Sequence, residues 1–264
     1  MKLDVIIPCY NEEGNITLMH EKLSEALSEI KYNLIFVNDG SKDKTIEKLN
    51  DIYKLDPKHV KVINFSRNFG KDAAMYAGLS HSNAEYAVII DGDLQQNPKY
   101  LLEMLNFLET NKDYDQISMI NKTRKKENGI IKLLKSMFYN FMNKLSDTHF
   151  ENGASDFRMF RHSVVESIIS LKENNRFSKG IFSWVGYKTK YMEYTVEDRH
   201  SGKSNFNLKN SFKYAWNGIV NFSVKPLKIA TGIVGEYISK MYLEIKSRPI
   251  YVAKNTLGFD DDIL

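Results

Sequence analysis

The sequence predicts an α/β fold in which a mostly parallel β-sheet is flanked by helices. Short apolar runs alternate with amphipathic stretches through the first half of the chain, a pattern typical of parallel strands connected by helices. Polar and glycine residues follow each of four apolar runs, as expected where the carboxyl ends of parallel strands form a ligand crevice. With 264 residues, of which 42% are hydrophobic, the chain can bury a full core.

Four strands and three helices are expected in this first half. Apolar runs predict strands at residues 3–8, 34–38, 60–65 and 86–91. Helical periodicity predicts helices at residues 15–30, 43–55 and 71–80. Asp43 is predicted to be the N-cap of the second helix, because its carboxylate can accept a backbone N–H that has no helical partner.

The second half is less regular but contains the same kinds of element. Helices are expected at residues 129–145, 164–171 and 177–184, a strand or turn at 155–160, and a strand at 188–194. After a polar loop at 199–204 come two amphipathic helices, at 208–222 and 233–246, with apolar residues at helical spacing in the second. We therefore expect an α/β domain over residues 1–204, with halves 1–120 and 121–204, then C-terminal amphipathic helices over 205–254 and a tail over 255–264.

Several classes of protein are excluded by simple counts. Cys9 is the single cysteine, so no intrachain disulfide can form and a reducing cytoplasm is expected. The first apolar run, of about five residues, is too short for a signal peptide. Near the C-terminus the longest uncharged stretch, 214–224, has eleven residues, whereas spanning a bilayer takes roughly 20. We therefore expect a protein that can lie on a membrane but cannot cross it.

Positive charge is concentrated in two regions. Residues 199–254 contain ten Lys and Arg against two acidic residues, and residues 121–144 contain seven against one. Such regions suit phosphate-bearing substrates, an anionic membrane surface or nucleic acid, although a solvated helix face has the same composition. Nucleic acid is not expected as a partner, because it would not explain the acidic and polar residues that follow the strands.

Asp91 and Asp93 are the strongest candidates for a metal site. In an extended segment, residues i and i+2 project to the same side, and Gly92 between them permits a tight turn. Carboxylate oxygens suit Mg²⁺ or Mn²⁺, which take their remaining ligands from substrate phosphates and water. Asp39, which precedes Gly40, would place a third carboxylate at the same edge of the sheet. Taken alone, each cluster is also compatible with a solvated turn.

Four motifs together resemble a known family. They are residues 5–13 (VIIPCYNEE), 37–41 (VNDGS), 68–71 (NFGK) and 91–95 (DGDLQ). In this order and spacing they resemble the signatures of family 2 inverting glycosyltransferases, which have the GT-A fold. Residues 153–158 (GASDFR), 175–177 (NRF), 184–186 (WVG) and 199–204 (RHSGKS) are similar to its polyprenyl-phosphate branch, which includes dolichol-phosphate mannose synthases and bactoprenol glucosyltransferases. The resemblance covers residues 3 to about 254.

The resemblance implies a role for individual residues. Residues 1–120 would bind the nucleotide sugar, through Pro8, Tyr10, Glu12, Asp39, Lys71, Asp91 and Gln95. The metal ion would be held by Asp91, Asp93 and Gln95. The catalytic residues would be Asp93, Asp156, Arg199 and Lys203, the last two on a loop that closes over phosphates. Residues 121–204 would bind the acceptor phosphate through Arg124, Arg158 and Arg176, since guanidinium groups match phosphate oxygens.

The resemblance implies inverting transfer of a hexose from a nucleotide diphosphate sugar to polyprenyl (undecaprenyl or dolichyl) phosphate, giving a lipid-linked donor for cell-surface glycans. UDP-glucose is the favoured donor, with GDP-mannose and UDP-N-acetylhexosamines left open. A phosphate acceptor is largely dianionic at pH 7, so Asp156 would orient the acceptor or stabilise positive charge on the sugar. Transfer to a saccharide hydroxyl, with Asp156 as base, is the alternative. A non-catalytic nucleotide-sugar-binding or membrane scaffold module is another.

Relatives in this branch commonly carry two membrane-spanning helices after the segment that resembles residues 225–228, and this chain lacks them. The amphipathic helices with their lysines could instead hold the protein peripherally at the inner face of the membrane. They could equally pack on the domain or on a second subunit, as in a homo-oligomer.

Overall fold

The computed structural model describes residues 1–122, 154–173, 176–197 and 253–258, together with the helical residues 237, 238, 240, 241 and 245. Within these ranges the chain forms an eight-stranded mixed sheet with helices on both faces. The predicted α/β class is therefore confirmed. None of the helices in the described ranges is long and apolar enough to span a bilayer.

The elements follow one another in the order expected of an α/β protein. The strands are β1 (Leu3–Cys9), β2 (Tyr32–Asn38), β3 (Val60–Phe65), β4 (Tyr86–Ile89), β5 (Gln116–Asn121), β6 (Ala154–Arg161), β7 (Thr189–Tyr194) and β8 (Ala253–Leu257). The helices are α1 (Ile16–Ala26), α2 (Thr45–Leu55), α3 (Lys71–Ser80), α4 (Lys99–Thr110), α5 (His162–Ser170) and α6 (Ser178–Trp184).

Strand β6 is antiparallel to the central strands of the sheet. Its strand order is β7-β5-β6-β4-β1-β2-β3-β8. The central strands β3, β2, β1 and β4 are parallel, as predicted. Next to them β6 runs antiparallel to both β4 and β5, while β7 is parallel to β5 and β8 is antiparallel to β3. The amino end of β6 therefore lies at the same edge as the carboxyl end of β4.

Alternating side chains of the strands fill two separate layers of core. On β1, Val5 and Ile7 pack with apolar residues of α1, α2 and α4, including Met19 and Leu101. Ile6 points to the other face and packs against α3, α5 and α6. Successive residues of a strand face opposite sides of the sheet, so these nearly continuous apolar runs are what a sheet covered on both faces requires.

The predicted bounds of the first-half elements differ from the observed ones mainly at their ends. β3 and α3 have the predicted bounds, whereas α1 ends at Ala26 and β4 at Ile89, both short of the prediction. The predicted N-cap was wrong, because α2 begins at Thr45 with Lys44 at the cap position. Asp43 lies one residue earlier, where its carboxylate accepts the Thr45 backbone N–H at 3.0 Å.

Among the remaining elements β6, β7, α5 and α6 were expected, whereas α4, β5 and β8 were not. β8 consists of residues 253–257, which the sequence prediction divided between the C-terminal helices and the tail. The predicted helices at 129–145 and 208–222 lie outside the described residues. In the predicted helix 233–246, the described residues 237, 238, 240, 241 and 245 are helical.

Gly78 lets α3 approach the sheet closely. A Cβ atom placed on Gly78 would lie 2.2 Å from Cγ2 of Ile6, a distance that real side chains do not show. The glycine therefore permits a helix-to-strand distance that alanine would not. Because α3 begins at Lys71, this close contact also fixes the position of the Lys71 backbone relative to β1.

Replacing Gly78 with Ala should destabilise the protein. Alanine is favoured over glycine in helices by about 1 kcal/mol, but moving α3 away from Ile6 costs about 1 to 3 kcal/mol. We expect a lower free energy of unfolding in urea. A higher free energy of unfolding, as helix propensity alone would give, would show that the contact does not constrain α3.

Candidate active site

A cleft of about 220 Å³ opens at the carboxyl edge of the central strands. It lies beside the point where the chain order reverses, since β2 flanks β1 on one side and β4 flanks it on the other. This is the position where open α/β sheets bind ligands. The cleft is lined by Lys71, Asp91, Asp93, Gln95, Gln96, Asn121, Ser155, Asp156, Lys179, Tyr194 and Val196.

The antiparallel pairing of β4 and β6 brings Asp91 and Asp156 together. In this pair Ile89 faces Arg158 and Tyr86 faces Arg161. Continuing the same register two residues beyond Ile89 sets Asp91 opposite Asp156. Two carboxylates from distant parts of the sequence thus line one cleft.

Lys71 bridges these two carboxylates. Its Nζ atom lies 2.7 Å from Oδ1 of Asp91 and 2.9 Å from Oδ2 of Asp156. The Asp156 side chain is only 15% exposed, and its other oxygen, Oδ1, is buried with no hydrogen-bond partner in the described part of the chain. A buried carboxylate oxygen of this kind is costly, so it marks a place where a ligand would supply the missing contact.

The electrostatics keep both members of this bridge charged. Burial disfavours the Lys71 ammonium, but the carboxylates of Asp156 and Asp91 outweigh it and raise the pKa of Lys71 above its ordinary value. Burial acts to raise the pKa of Asp156, yet the nearby cations Lys71, Lys179 and Arg158 lower that pKa well below its usual range. Asp156 is therefore a poor general base near neutral pH, where an effective base has a pKa close to 7.

Gln96 holds the Asp91 carboxylate in place. The Gln96 side-chain amide donates to Oδ2 of Asp91 at 3.0 Å, and its carbonyl oxygen accepts the Asp91 backbone N–H, also at 3.0 Å. Gln96 is 4% exposed. The sequence analysis singled out Gln95 instead, whose amide donates to the Glu197 carbonyl at 3.3 Å. Gln95 is also bonded to Asp93, whose Oδ1 accepts the Gln95 backbone N–H at 3.2 Å.

Asp91, Asp93 and Gln95 all line the cleft and fit a divalent cation by the chemistry of their oxygen atoms. Within the described residues no group of three His, Cys, Asp or Glu side chains is placed to hold an ion by itself. A site of two carboxylates leaves coordination positions for phosphate oxygens and water, as Mg²⁺ sites in phosphoryl-binding enzymes do. The predicted residues therefore fit an ion that binds together with a diphosphate.

The residues assigned to the nucleoside lie at the same edge of the sheet. Pro8 is on β1, with Tyr10 and Glu12 just beyond it, and Asp39 directly follows β2. Asp39 is 3% exposed, and its carboxylate accepts the backbone N–H groups of Phe69 at 2.6 Å and Gly70 at 3.0 Å. Burial raises the pKa of Asp39. One clear role of Asp39 is thus to hold the loop that leads into Lys71.

The structure does not bring Arg158 and Arg176 into the cleft lining. Arg158 is 3% exposed, and its Nε donates to the Ser155 carbonyl at 3.2 Å. Arg176 is 9% exposed and donates to backbone carbonyls at the end of α5, including that of Ile168 at 3.3 Å. Both guanidinium groups donate to backbone carbonyls within the described residues, and their assignment to the acceptor phosphate stays a prediction. Arg124, Arg199 and Lys203 lie outside the described residues.

Several residues of the cleft were missed by the sequence analysis. Asn121 and Tyr194 end β5 and β7 and face one another in the parallel pairing of these strands. Lys179 is the second residue of α6. A correct alignment of β5 with β6 and β7 could have identified Asn121 and Tyr194. No spacing in the sequence points to Lys179.

Comparison with known proteins decides the family. A family model described as glycosyl transferase family 2 matches residues 4–169, which is more than half of the chain. The chain belongs to glycosyl transferase family 2. The expected glycosyltransferase function is thereby confirmed.

Individual relatives agree with this assignment. A Bacillus subtilis protein named as a glycosyltransferase, CsbB, is 34% identical, with 96% of this chain and 91% of the relative covered. That alignment runs over 304 positions, so at least 40 of them face no residue of the 264 here. The bactoprenol glucosyl transferase of Shigella phage SfII is 30% identical, with 97% of this chain and 98% of the relative covered.

A solved structure shows the same fold. Glucosyl-3-phosphoglycerate synthase from Mycobacterium tuberculosis, in complex with Mn²⁺ and uridine-diphosphate-glucose, matches with a TM-score of 0.53 at 16% identity. The match covers 83% of this chain and 77% of that one. The GT-A fold expected from the resemblance is thus confirmed.

Replacing Lys71 with Met should destabilise the protein in a pH-dependent way. The low folded-state pKa of Asp156 means that its ionisation stabilises the fold above the ordinary value of 3.8, and this contribution fades as the pH falls through the lower folded-state value. Without Lys71, burial raises the Asp156 pKa, so the variant regains stability by taking up a proton. The difference in the free energy of unfolding between wild type and variant should be largest near pH 7 and should become smaller towards about pH 4.

Lys2 provides a matched control. It also lies between two carboxylates, those of Glu85 and Glu109, but both are more exposed than the partners of Lys71. In urea unfolding, Lys2→Met should lower the free energy of unfolding less than Lys71→Met does, because exposed ion pairs contribute little to stability. Equal losses for the two variants, or a loss that is independent of pH, would contradict the assigned role of Lys71.

Proposed function

We propose that the enzyme transfers a hexose from a nucleotide diphosphate sugar to polyprenyl phosphate with inversion, UDP-glucose being the first choice of donor. The observation that carries this proposal is the pairing of Asp91 with Asp156 across one cleft, with Lys71 between them. A relative named bactoprenol glucosyl transferase that aligns over 97% of this chain supports it.

The donor would bind on the β4 side of the cleft. Asp91 and Asp93 would hold a Mg²⁺ or Mn²⁺ ion, which supplies positive charge to the departing diphosphate. Gln96 fixes the Asp91 carboxylate for this purpose, and Gln95 steadies Asp93. Pro8, Tyr10, Glu12 and Asp39 would contact the nucleoside beyond β1 and β2, and Arg199 and Lys203 would cover the phosphates.

The acceptor would attack from the β6 side. An oxygen of its phosphate forms a bond to the anomeric carbon, while the bond from that carbon to the diphosphate breaks and its electron pair leaves with the nucleoside diphosphate. A phosphate monoester has a second pKa of about 6, so the attacking oxygen needs no base at neutral pH. The low pKa of Asp156 suits this acceptor and suits a saccharide hydroxyl poorly.

A transfer assay with the purified protein tests the proposal. Short-chain polyprenyl phosphate and a panel of labelled nucleotide sugars should give lipid-linked sugar, with UDP-glucose as the best donor. EDTA should abolish transfer, and added Mn²⁺ or Mg²⁺ should restore it. Binding of Mn²⁺ should be much tighter with UDP present than without, because the protein alone supplies few ligands.

Asp93→Asn and Asp156→Asn should each lower kcat/KM by roughly 100-fold, a typical loss when one group that stabilises the transition state is removed. Asp113→Asn, at an exposed aspartate paired with Lys188, should behave as wild type. Transfer to a saccharide alcohol but not to polyprenyl phosphate would overturn the proposed acceptor. Full activity in EDTA would overturn the metal.

We also propose that the enzyme lies peripherally on the inner face of the membrane. Ile238, Met241 and Ile245 are 54%, 56% and 80% exposed, and their spacing sets them on one face of a helix. That exposure supports an apolar face that is accessible to a membrane or to a second subunit. The neighbouring lysines of the sequence favour an anionic bilayer surface.

Vesicle co-sedimentation tests the membrane proposal. Binding should require anionic lipid and weaken with added salt, and Met241→Glu should reduce it several-fold by placing a charge in the apolar face. Leu55→Glu is a matched control, because Leu55 is an apolar residue 76% exposed on α2. Loss of binding in both variants, or binding indifferent to lipid charge, would contradict the proposal, and salt-resistant self-association would favour a second subunit.

A further inference from the structure

Both oxygens of the Asp91 carboxylate contact donors of the protein. Oδ1 lies 2.7 Å from the Lys71 ammonium, and Oδ2 accepts a hydrogen bond from the Gln96 side-chain amide at 3.0 Å. The Gln96 side chain is held in turn, because its carbonyl oxygen accepts the Asp91 backbone N–H. A divalent ion that coordinates Asp91 must therefore approach a carboxylate that already has a positively charged partner.

The Lys71 ammonium and a divalent ion compete for Asp91 because both are positively charged. An ion bound to this carboxylate would come close to the ammonium that contacts it, and like charges at short distance repel strongly inside a protein. The Gln96 amide carries no net charge, so it opposes the ion far less. Binding of the ion therefore requires the ammonium to move away from Asp91.

The fold fixes the backbone of Lys71 and leaves room for its side chain to move. The close contact of Gly78 with Ile6 sets the position of α3, and Asp39 accepts the backbone N–H of Gly70 at 3.0 Å, directly before Lys71. The Lys71 side chain is nevertheless 42% exposed, and its four-carbon stem is flexible. The ammonium can therefore leave Asp91 without a movement of the helix.

Asp156 would keep the displaced ammonium in the cleft. Its Oδ2 atom lies 2.9 Å from Nζ of Lys71, and it belongs to β6, across from the β4 side on which Asp91 lies. Lys71, Asp91 and Asp156 line the same cleft. A diphosphate that arrives with the ion would therefore supply the ammonium with a new anion in exchange for Asp91.

We propose that the Lys71 ammonium is the counter-ion of Asp91 before the divalent ion binds, and that it makes binding of the ion depend on the diphosphate of the donor. An ion alone removes the ammonium from one of its two carboxylates and offers it no other anion. An ion that arrives with a diphosphate restores the second anionic contact of Lys71. This inference rests on the proposed function, and it gives Lys71 a role beyond the contact with the nucleotide sugar that the resemblance implies.

Titrations with Mn²⁺, followed by the electron paramagnetic resonance signal of the free ion, test this role without any transfer reaction. Lys71→Met should bind Mn²⁺ alone about 10-fold more tightly than wild type does, a change within the usual range of coupling between two sites. With UDP present, the affinity of Lys71→Met for Mn²⁺ should be no higher than that of wild type. The factor by which UDP tightens Mn²⁺ binding should therefore fall by about 10-fold or more.

A second measurement uses the affinity for UDP, because coupling between two ligands is reciprocal. In calorimetric titrations Mn²⁺ should tighten UDP binding less in Lys71→Met than in wild type, by the same factor. Lys71→Arg should keep the wild-type coupling, because it keeps the positive charge. Lys188→Met is the matched control, since Lys188 is an exposed lysine paired with Asp113, and it should leave both measurements unchanged. If Lys71→Met does not fold, Lys71→Gln provides the neutral side chain.

The outcomes separate this inference from the function on which it rests. Unchanged binding of Mn²⁺ alone by Lys71→Met, with wild type active in transfer, would overturn the role of Lys71 and leave the proposed function standing. Weaker binding of Mn²⁺ alone would also overturn it, because Lys71 would then support the ion and not compete with it. A wild-type enzyme that shows the coupling but transfers to no polyprenyl phosphate would overturn the proposed acceptor and leave the role of Lys71 standing. A wild type that binds neither Mn²⁺ nor UDP would overturn both.

Discussion

The ammonium of Lys71 between Asp91 and Asp156 is the interaction on which the rest of the site depends. Two neighbouring carboxylates repel one another. The Lys71 ammonium contacts both, at 2.7 Å and 2.9 Å, and so offsets this repulsion. These contacts require an accurate position of α3, because Lys71 is its first residue. Two other features of the fold fix that position. Gly78 allows α3 to approach β1, and the Asp39 carboxylate holds the loop before it.

The site could not exist in a purely parallel sheet. There, a strand that follows a helix begins at the edge opposite to the ligand crevice. Because β6 is inserted antiparallel between β4 and β5, its first residues lie at the crevice instead. Asp156 on β6 can then face Asp91 after β4, and the strand ends of β5 and β7 add Asn121 and Tyr194. Residues from the two predicted halves of the domain, 1–120 and 121–204, therefore meet at the β4–β6 pair.

The parts of this arrangement that local patterns encode were predictable. Hydrophobic runs located the parallel strands, and the strand-end rule located Asp91 and Asp93. The direction of β6 was not predictable, because a period of two residues is the same in either direction. Local patterns also do not reveal that Arg158 lies over the ring of Phe182, 5.3 Å from its centroid. Gln96 was missed because side chains are expected to alternate between two sides along an extended segment. Leu94 has a φ of 64°, and a residue in this left-handed conformation interrupts that alternation.

The charges of the cleft show why the cations nearest to an anionic ligand matter more for its binding than the net charge of the cleft does. Among the residues that the structure describes, the charged lining consists of Asp91, Asp93 and Asp156 against Lys71 and Lys179, so this part of the lining has a small negative charge. The positive charge of a divalent ion and the negative charge of the diphosphate of a nucleotide sugar would roughly cancel. Their binding together would therefore leave the net charge of the lining unchanged. An acceptor phosphate is then attracted only by the charges nearest to it, since attraction falls with distance and is screened by water. Lys71, which contacts the carboxylates of Asp91 and Asp156, is one of those charges, so acidic residues of the cleft serve to position positive charge within it.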